Sequence, residues 1–260
     1  MSQKSQMRKN NLKGSQLNVA ASIYIEYGDE IAKLVERMSI DVKNEIRKLF
    51  EVNSYDHAMD ASIVSQGRIL INQLLDKWNK IAAIQAKKST EKMMRKVERN
   101  SASTLGMSLK QISEDMQIKM SLTPDMEEIM KASTLEAANL IKTLPQEYLA
   151  DVQGQVMRSI TSGGGLNDLV PYLNDKYRKN IRKARNVAQD QTRKAYNNLQ
   201  RARMQKLGIK KFEWIHSGAG KEPRKLHKDL NGKICSFDDP PFIGTMYGQD
   251  VYGIPGQLPN

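Results

Sequence analysis

Apolar residues recur three and four positions apart over much of the first 160 residues, and this spacing constrains the fold more than any other feature. Over residues 16–52 it is carried by Val19, Ile23, Ile31, Leu34, Val35, Met38, Val42, Ile46 and Leu49. Such spacing places the apolar side chains on one side of an α-helix. It predicts an amphipathic helix over 16–52, with a break near Gly28 because glycine lowers helix stability.

The same spacing continues along the chain. Residues 55–99 repeat it without a proline, which predicts a second long helix, and residues 108–120 predict a shorter one. Thr123-Pro124-Asp125 is typical of a helix start, with threonine at the cap and proline in the first turn. The pattern predicts that this helix ends near Thr143 and that another runs from Pro145 to about Ser159.

Glycines mark the next boundaries. Gly163, Gly164 and Gly165 are consecutive, which predicts a helix end and a hinge between subdomains. A short helix is expected over residues 166–173, followed by a long helix over 175–207 that ends before Gly208.

The helix over 175–207 concentrates the positive charge of the chain. Residues 175–211 contain thirteen Lys and Arg against two Asp, whereas residues 1–174 contain 23 basic and 21 acidic side chains. An excess of this size predicts contact with a polyanion, either nucleic acid or an acidic protein surface. The alternative is a solvated charged face. The predicted binding residues are Lys176, Arg178, Lys179, Arg182, Lys183, Arg185, Arg193, Lys194, Arg201 and Arg203.

The C-terminal part has a different pattern. Residues 210–215 and 232–237 predict two short strands, residues 222–230 a helical turn, and residues 238–260 an irregular segment rich in Gly and Pro. The expected fold is therefore mainly α: an elongated helical N-terminal region followed by a small α+β module with a short antiparallel sheet. We divide the chain into a basic flexible arm (1–13), a helical region for protein contacts (14–160) and the module (165–260).

Composition narrows the class of protein. Of the 260 residues, 39% are hydrophobic and 27% are charged, and no apolar run approaches the roughly 20 residues of a membrane helix. The first residues have positive charge but no apolar core typical of a secretory signal. A single cysteine, Cys235, fits a reducing cytoplasm.

The segment around Gly220-Lys221 superficially resembles a phosphate-binding loop. That motif requires a glycine five positions before Gly220 and a hydroxyl after the lysine, but this chain has Ile215 and Glu222 there. The segment is therefore predicted to be a turn, with no nucleotide cofactor.

Two enzymatic alternatives remain open. His216, His227 and Cys235, with Asp238 or Asp239, are residue types that bind zinc, although their spacing matches no common closed site. We predict no metal. The alternatives are a nuclease that uses His227 near Asp229 and Asn231, and a metal-dependent nucleic-acid-processing enzyme with the metal at His216, His227 and Cys235.

The order of residues in the C-terminal part resembles the phage head morphogenesis domain of the Mu protein F-like minor head proteins. The likeness spans roughly residues 160–260. The matching residues are Trp214, Arg224, His227, Leu230, Asn231, Gly232, Pro255 and Gly256. The family pattern then ends in Cys-Arg-Cys, which the residues up to Asn260 do not include.

The resemblance implies a structural role and no enzymatic activity. It implies a minor head protein of a tailed phage, located in the virion near the portal vertex after assembly in the host cytoplasm. The implied partners are the portal protein, a capsid or scaffolding protein and non-specific double-stranded DNA, with several copies per particle and no membrane. Within the module we expect Arg224 to pair with a carboxylate such as Asp238, and His227 to bond the backbone. A DNA-binding accessory protein outside the virion is a further alternative.

Overall fold

The computed structural model describes residues 13–55, 62–113, 120–216 and 225–255. The mainly α fold with a small antiparallel C-terminal part is confirmed. The helices are α1 Ala21–Tyr55, α2 Ile63–Ile112, α3 Pro124–Lys142, α4 Leu144–Ser162, α5 Gly165–Lys206 and α6 Lys225–Asp229. The strands are β1 Lys211–Glu213, β2 Ile234–Ser236, β3 Phe242–Met246 and β4 Gln249–Tyr252.

Helix α1 passes through Gly28 without interruption, so the predicted break is wrong. Gly28 is buried against α5, and a Cβ atom at this position would lie 3.5 Å from the Cβ of Ala188. This is an ordinary van der Waals distance, so the helices pack closely here without depending on the absence of a side chain. Packing energy from this contact outweighs the low helix propensity of a single glycine.

Helix α2 is longer than predicted, at 50 residues. The separate helix expected from Ser108 begins inside α2, which continues to Ile112. Buried side chains follow α2 from Gly67 to Leu109, so tertiary contacts support the helix along nearly its whole length.

The helix boundaries predicted from capping residues are confirmed. The Oγ1 atom of Thr123 accepts a hydrogen bond from the backbone N–H of Met126 at 3.4 Å, and Pro124 occupies the first turn of α3. Helix α4 ends at Ser162, and the next residue, Gly163, has the left-handed φ of 72° that favours glycine.

Helix α5 is one continuous helix where two were predicted. It runs through Pro171 and packs against α1, α2, α3 and α4. Leu169 and Leu173 are buried on either side of the proline, and their packing offsets the free-energy cost of the backbone hydrogen bond that proline cannot donate.

Helices α1 to α5 share one apolar core, and we call them the helical bundle. The predicted division near residue 165 therefore does not separate two packing units.

The part of the predicted module that follows α5 is called the module from here on, and the structure describes it over residues 211–216 and 225–255. It has its own small core of Trp214, Cys235 and Ile243. The predicted pairing of β1 with β2 is confirmed, with Phe212 opposite Cys235. The hairpin of β3 and β4 is a correction, because residues 238–260 were predicted to be irregular.

The turn of this hairpin consists of Tyr247 and Gly248, both with positive φ.

None of the helices in the described ranges is long and apolar enough to cross a membrane.

Candidate interaction surfaces

Lysines of the predicted binding helix α5 bridge to neighbouring helices. Their partners are carboxylates of α3 and α4, so the contacts cross the bundle. Lys176 pairs with Asp151, Lys183 with Glu147, and Lys194 with Glu136 at 2.7 Å. These charges therefore help to join α5 to the bundle as well as contributing to the surface potential.

Other cations of α5 also have partners within the chain. Arg185 lies 3.4 Å from a carboxylate oxygen of Asp29 on α1, and Lys179 pairs with Asp175 one turn earlier. Lys179, followed by the more distant Arg178 and Arg182, lowers the pKa of the Asp175 carboxyl. The guanidinium of Arg193 stacks over the ring of Tyr24 with a separation of 5.5 Å.

Arg203 is not on the surface, which corrects its predicted role in binding. Its side chain is 1% exposed and lies between α5 and α2. The guanidinium donates to Glu98 at 2.7 Å and to the hydroxyl of Ser101 at 3.2 Å. It also reaches the carbonyl of Met120 at 3.4 Å. Arg203 is therefore a structural residue that links two helices and the segment before α3.

Four of the ten predicted cations remain without an ion pair among the residues that the structure describes, and one of these, Arg193, stacks on Tyr24 instead. Arg178 and Arg182 are exposed one turn apart, and Arg201 is partly exposed. We call these three residues the free α5 cations. The charge that α5 can offer to a partner is therefore smaller than its sequence composition suggests.

The predicted signature residues of the module largely pack against one another. The ring of His227 on α6 meets the ring of Trp214 edge-on, with 5.6 Å between the ring centres. The side-chain oxygen of Asn231 accepts a hydrogen bond from the backbone N–H of His216 at 2.9 Å. Gly232 has a φ of 79° and donates its N–H to the Trp214 carbonyl at 2.7 Å. This conformation favours glycine, which explains the residue type at 232.

The remaining signature residues are placed as follows. Leu230 packs against the core of the module, and Pro255 follows the buried Ile254 after β4. Arg224 and Gly256 lie outside the described residues, and with them the expected contact between Arg224 and Asp238.

The residues considered for metal binding do not form a cluster in the described part of the chain. No three His, Cys, Asp or Glu side chains there lie close enough together to hold an ion. The thiol of Cys235 is buried under the β1–β2 pair, and burial raises its pKa. A thiol held in its neutral form is a weak nucleophile.

The module carries several large exposed apolar side chains. Ile234, Tyr247 and Tyr252 are all exposed, and Tyr247 at the hairpin turn is 99% exposed. Sequence reasoning missed the two tyrosines because it assigned no hairpin there. Aromatic side chains are enriched at protein interfaces, so the hairpin with its two exposed tyrosines is a candidate protein-binding surface.

Comparison with known proteins adds three findings. The chain is 25% identical over 226 residues to an uncharacterized protein of Haemophilus influenzae. The alignment covers 86% of this chain and 50% of the relative, so the chain matches about half the length of that protein. No solved structure matches the chain.

A family model covers the C-terminal part of the chain. It begins within α4, includes all of α5 and extends through the module. The resemblance inferred from the sequence is thereby confirmed for this region. Residues 150–259 match the family described as Phage Mu protein F like protein.

Proposed function

We propose that the chain is a minor structural protein of a tailed phage head that acts during head assembly and is associated with the portal vertex. The match of residues 150–259 to the Mu protein F-like family carries this proposal. The protein is made in the host cytoplasm and remains inside the head in several copies. Its role is structural and not enzymatic.

The geometry of the module supports a binding role. Trp214, His227 and Asn231 are used in packing and in backbone hydrogen bonds. Tyr247 and Tyr252 project from the hairpin into solvent. The module therefore has an internal framework and an exposed aromatic surface. We assign this surface to the contact with the portal protein or with a capsid or scaffolding protein.

Non-specific contact with double-stranded DNA is the second part of the proposal. The chain has a net charge of +12, so a duplex attracts it electrostatically. Binding to phosphates releases counterions and therefore weakens steeply with salt. Such contacts would serve packaging or ejection of the genome without reading its sequence.

Affinity capture from cells that produce phage heads tests the assembly role. Tagged full-length protein is isolated before and after nuclease digestion, and its partners are identified by mass spectrometry. We expect portal or capsid protein to remain bound after digestion. If every phage partner is lost with the DNA, the head-assembly role is refuted and a DNA-binding accessory protein is the better description.

A pair of variants locates the protein contact. Tyr247→Ser removes an exposed aromatic side chain from the module, and Leu135→Ser removes an exposed apolar side chain from α3 as a matched control. Capture of the head protein should fall at least several-fold with Tyr247→Ser and remain unchanged with Leu135→Ser. Equal effects of the two substitutions would show that the module surface is not the contact.

A further inference from the structure

A second basic surface lies on α2. The sequence did not reveal it, because the net charge summed over residues 1–174 is close to zero. Five cations occur there within twenty positions, and all five are exposed. A helix turns about 100° per residue, so these positions fall within roughly a third of its circumference. We call this surface the α2 basic face: Lys80, Lys87, Lys88, Arg95 and Arg99.

The fold does not neutralise these cations. In the described ranges, none of the five forms an ion pair with a carboxylate. Two acidic residues share their arc, Glu91 and Glu98, and the carboxylate of Glu98 pairs with Arg203 of α5. Other lysines of α2 do form such pairs. Their partners are carboxylates of α1. The Nζ atom of Lys77 lies 2.8 Å from an oxygen of Asp41, and that of Lys92 lies 2.7 Å from oxygens of both Glu26 and Glu30. The lysines that turn toward α1 therefore stabilise the bundle, and the α2 basic face is left available for a ligand.

The shape of this face suits a linear polyanion. Its ends, Lys80 and Arg99, are separated by 19 helical steps, which correspond to about 28 Å along the helix. Double-stranded DNA carries one phosphate charge for every ~1.7 Å of its axis, so several phosphates lie within reach of such a stripe. The Nε atom of Arg99 donates to the carbonyl of Arg95 at 3.3 Å, which orients its guanidinium along the helix.

The side chains favour DNA over an acidic protein as the ligand. Among the large apolar residues between Lys80 and Arg99, Ile84 is the exposed one. The centres of protein interfaces are depleted in lysine and enriched in aromatic residues, which this face lacks. It also has no Asn or Gln for reading base edges, so its contacts would be with phosphates.

We propose that the α2 basic face is the principal DNA-binding surface of the protein, in place of the free α5 cations. This inference deepens the proposed contact with DNA and rests on that part of the proposed function. The ligand is the phosphate backbone of duplex DNA, bound without sequence preference.

The test uses the full-length protein and a fluorescein-labelled 30-base-pair duplex of arbitrary sequence. Fluorescence anisotropy gives the affinity over a range of salt concentrations. The α2 variant combines Lys87→Gln, Lys88→Gln and Arg95→Gln, which removes three cations from the centre of the face. Each lost phosphate contact reduces the slope of log affinity against log salt by about 0.9, so we expect a reduction of about 2 to 3. Affinity at low salt should fall at least ten-fold.

A variant of the free α5 cations is the matched control, because it removes the same net charge from another helix. It combines Arg178→Gln, Arg182→Gln and Arg201→Gln. We expect less than a three-fold loss of affinity and a change in slope of less than about 1. Circular dichroism and thermal melting establish that both variants retain the fold.

Several results would overturn the inference. These are a larger loss with the α5 variant, equal losses with both variants, or failure of the unmodified protein to bind the duplex. Loss of a nuclease-resistant head partner with unchanged duplex affinity in the α2 variant would identify an acidic protein as the ligand instead. The assembly role fails separately, through the capture experiment, because duplex binding does not require a phage partner.

Discussion

Replacing Arg203 with methionine is expected to destabilise the protein far more than removing any exposed cation of α5. The guanidinium makes polar contacts with Glu98, Ser101 and Met120 while its side chain is 1% exposed. Methionine fills a similar length but donates no hydrogen bond, so the Glu98 carboxylate loses its cation. Removing one member of a buried ion pair costs about 3–5 kcal/mol.

The Glu98 side chain is 19% exposed, so water can solvate part of the orphaned charge and the lower end of this range applies. A loss of about 3 kcal/mol changes the unfolding equilibrium by roughly 150-fold. Urea unfolding followed by far-UV circular dichroism measures this loss. Lys206→Met, on the same helix at an exposed position, should change the free energy of unfolding by less than about 0.5 kcal/mol.

The double variant Arg203→Met with Glu98→Gln separates the charge from the packing. Because the glutamine carries no charge, the double variant should recover at least about 1 kcal/mol relative to Arg203→Met alone. The reasoning fails if Arg203→Met lies within about 0.5 kcal/mol of the unmodified protein. It also fails if neutralising Glu98 restores nothing.

Three further predictions follow from local contacts. Gly28→Ala should raise the free energy of unfolding by about 0.5–1 kcal/mol, because the new methyl meets Ala188 at an ordinary 3.5 Å and α1 loses a glycine; a lower melting temperature would contradict this. Thr123→Ala should lower the free energy of unfolding by about 1 kcal/mol in a urea titration through loss of the α3 cap, and an unchanged midpoint would show that the cap contributes nothing. Lys92, followed by Lys96, lowers the pKa of Glu26 from 4.5 to about 2, so its ion pairs stabilise the folded protein above pH 4.5 and are lost as the pH falls toward 2. The melting temperature of Glu26→Gln should therefore fall less over this range than that of the unmodified protein, and parallel curves would argue against the pairing.

Local signals in the sequence were sufficient for most helix boundaries. Thr123 caps α3, and Gly163 and Gly208 adopt the positive φ expected after a helix. These features depend on neighbouring residues alone. The continuity of α5 through Pro171 was not predictable in this way, because it depends on contacts with four other helices. The hairpin of β3 and β4 was missed because its turn is Tyr247-Gly248 and lacks the Asn-Gly or Asp-Gly signal.

The binding surface shows a similar limit. Counting charges along the chain indicated α5 as the basic element, but carboxylates distant in sequence neutralise several of its cations, as Glu136 does for Lys194. Over α2, acidic residues elsewhere in the first 174 positions cancelled the basic residues in the sum. In the folded protein, however, many of these acidic residues lie away from the basic residues of the α2 basic face and do not pair with them. The sequence pattern that could have indicated this surface is the placement of lysines and arginines on the face of α2 away from its apolar stripe. That pattern becomes visible only after residues 63–112 are assigned to one helix.

The continuous packing of α5 determines where this protein can be divided or recombined. A fragment beginning at residue 150 or 165 would carry α5 without α1, α2 and α3, and would expose the apolar stripe that includes Ala184, Ala188 and Leu199. Such a fragment should aggregate or recruit foreign helices. Gly208 is the better position at which to divide the chain. It follows the end of α5, and its φ of 74° terminates the helix before β1 begins. Exchange of modules between related proteins should therefore succeed when the chains are joined at Gly208. It should fail when they are joined at residue 150, where the match to the family begins.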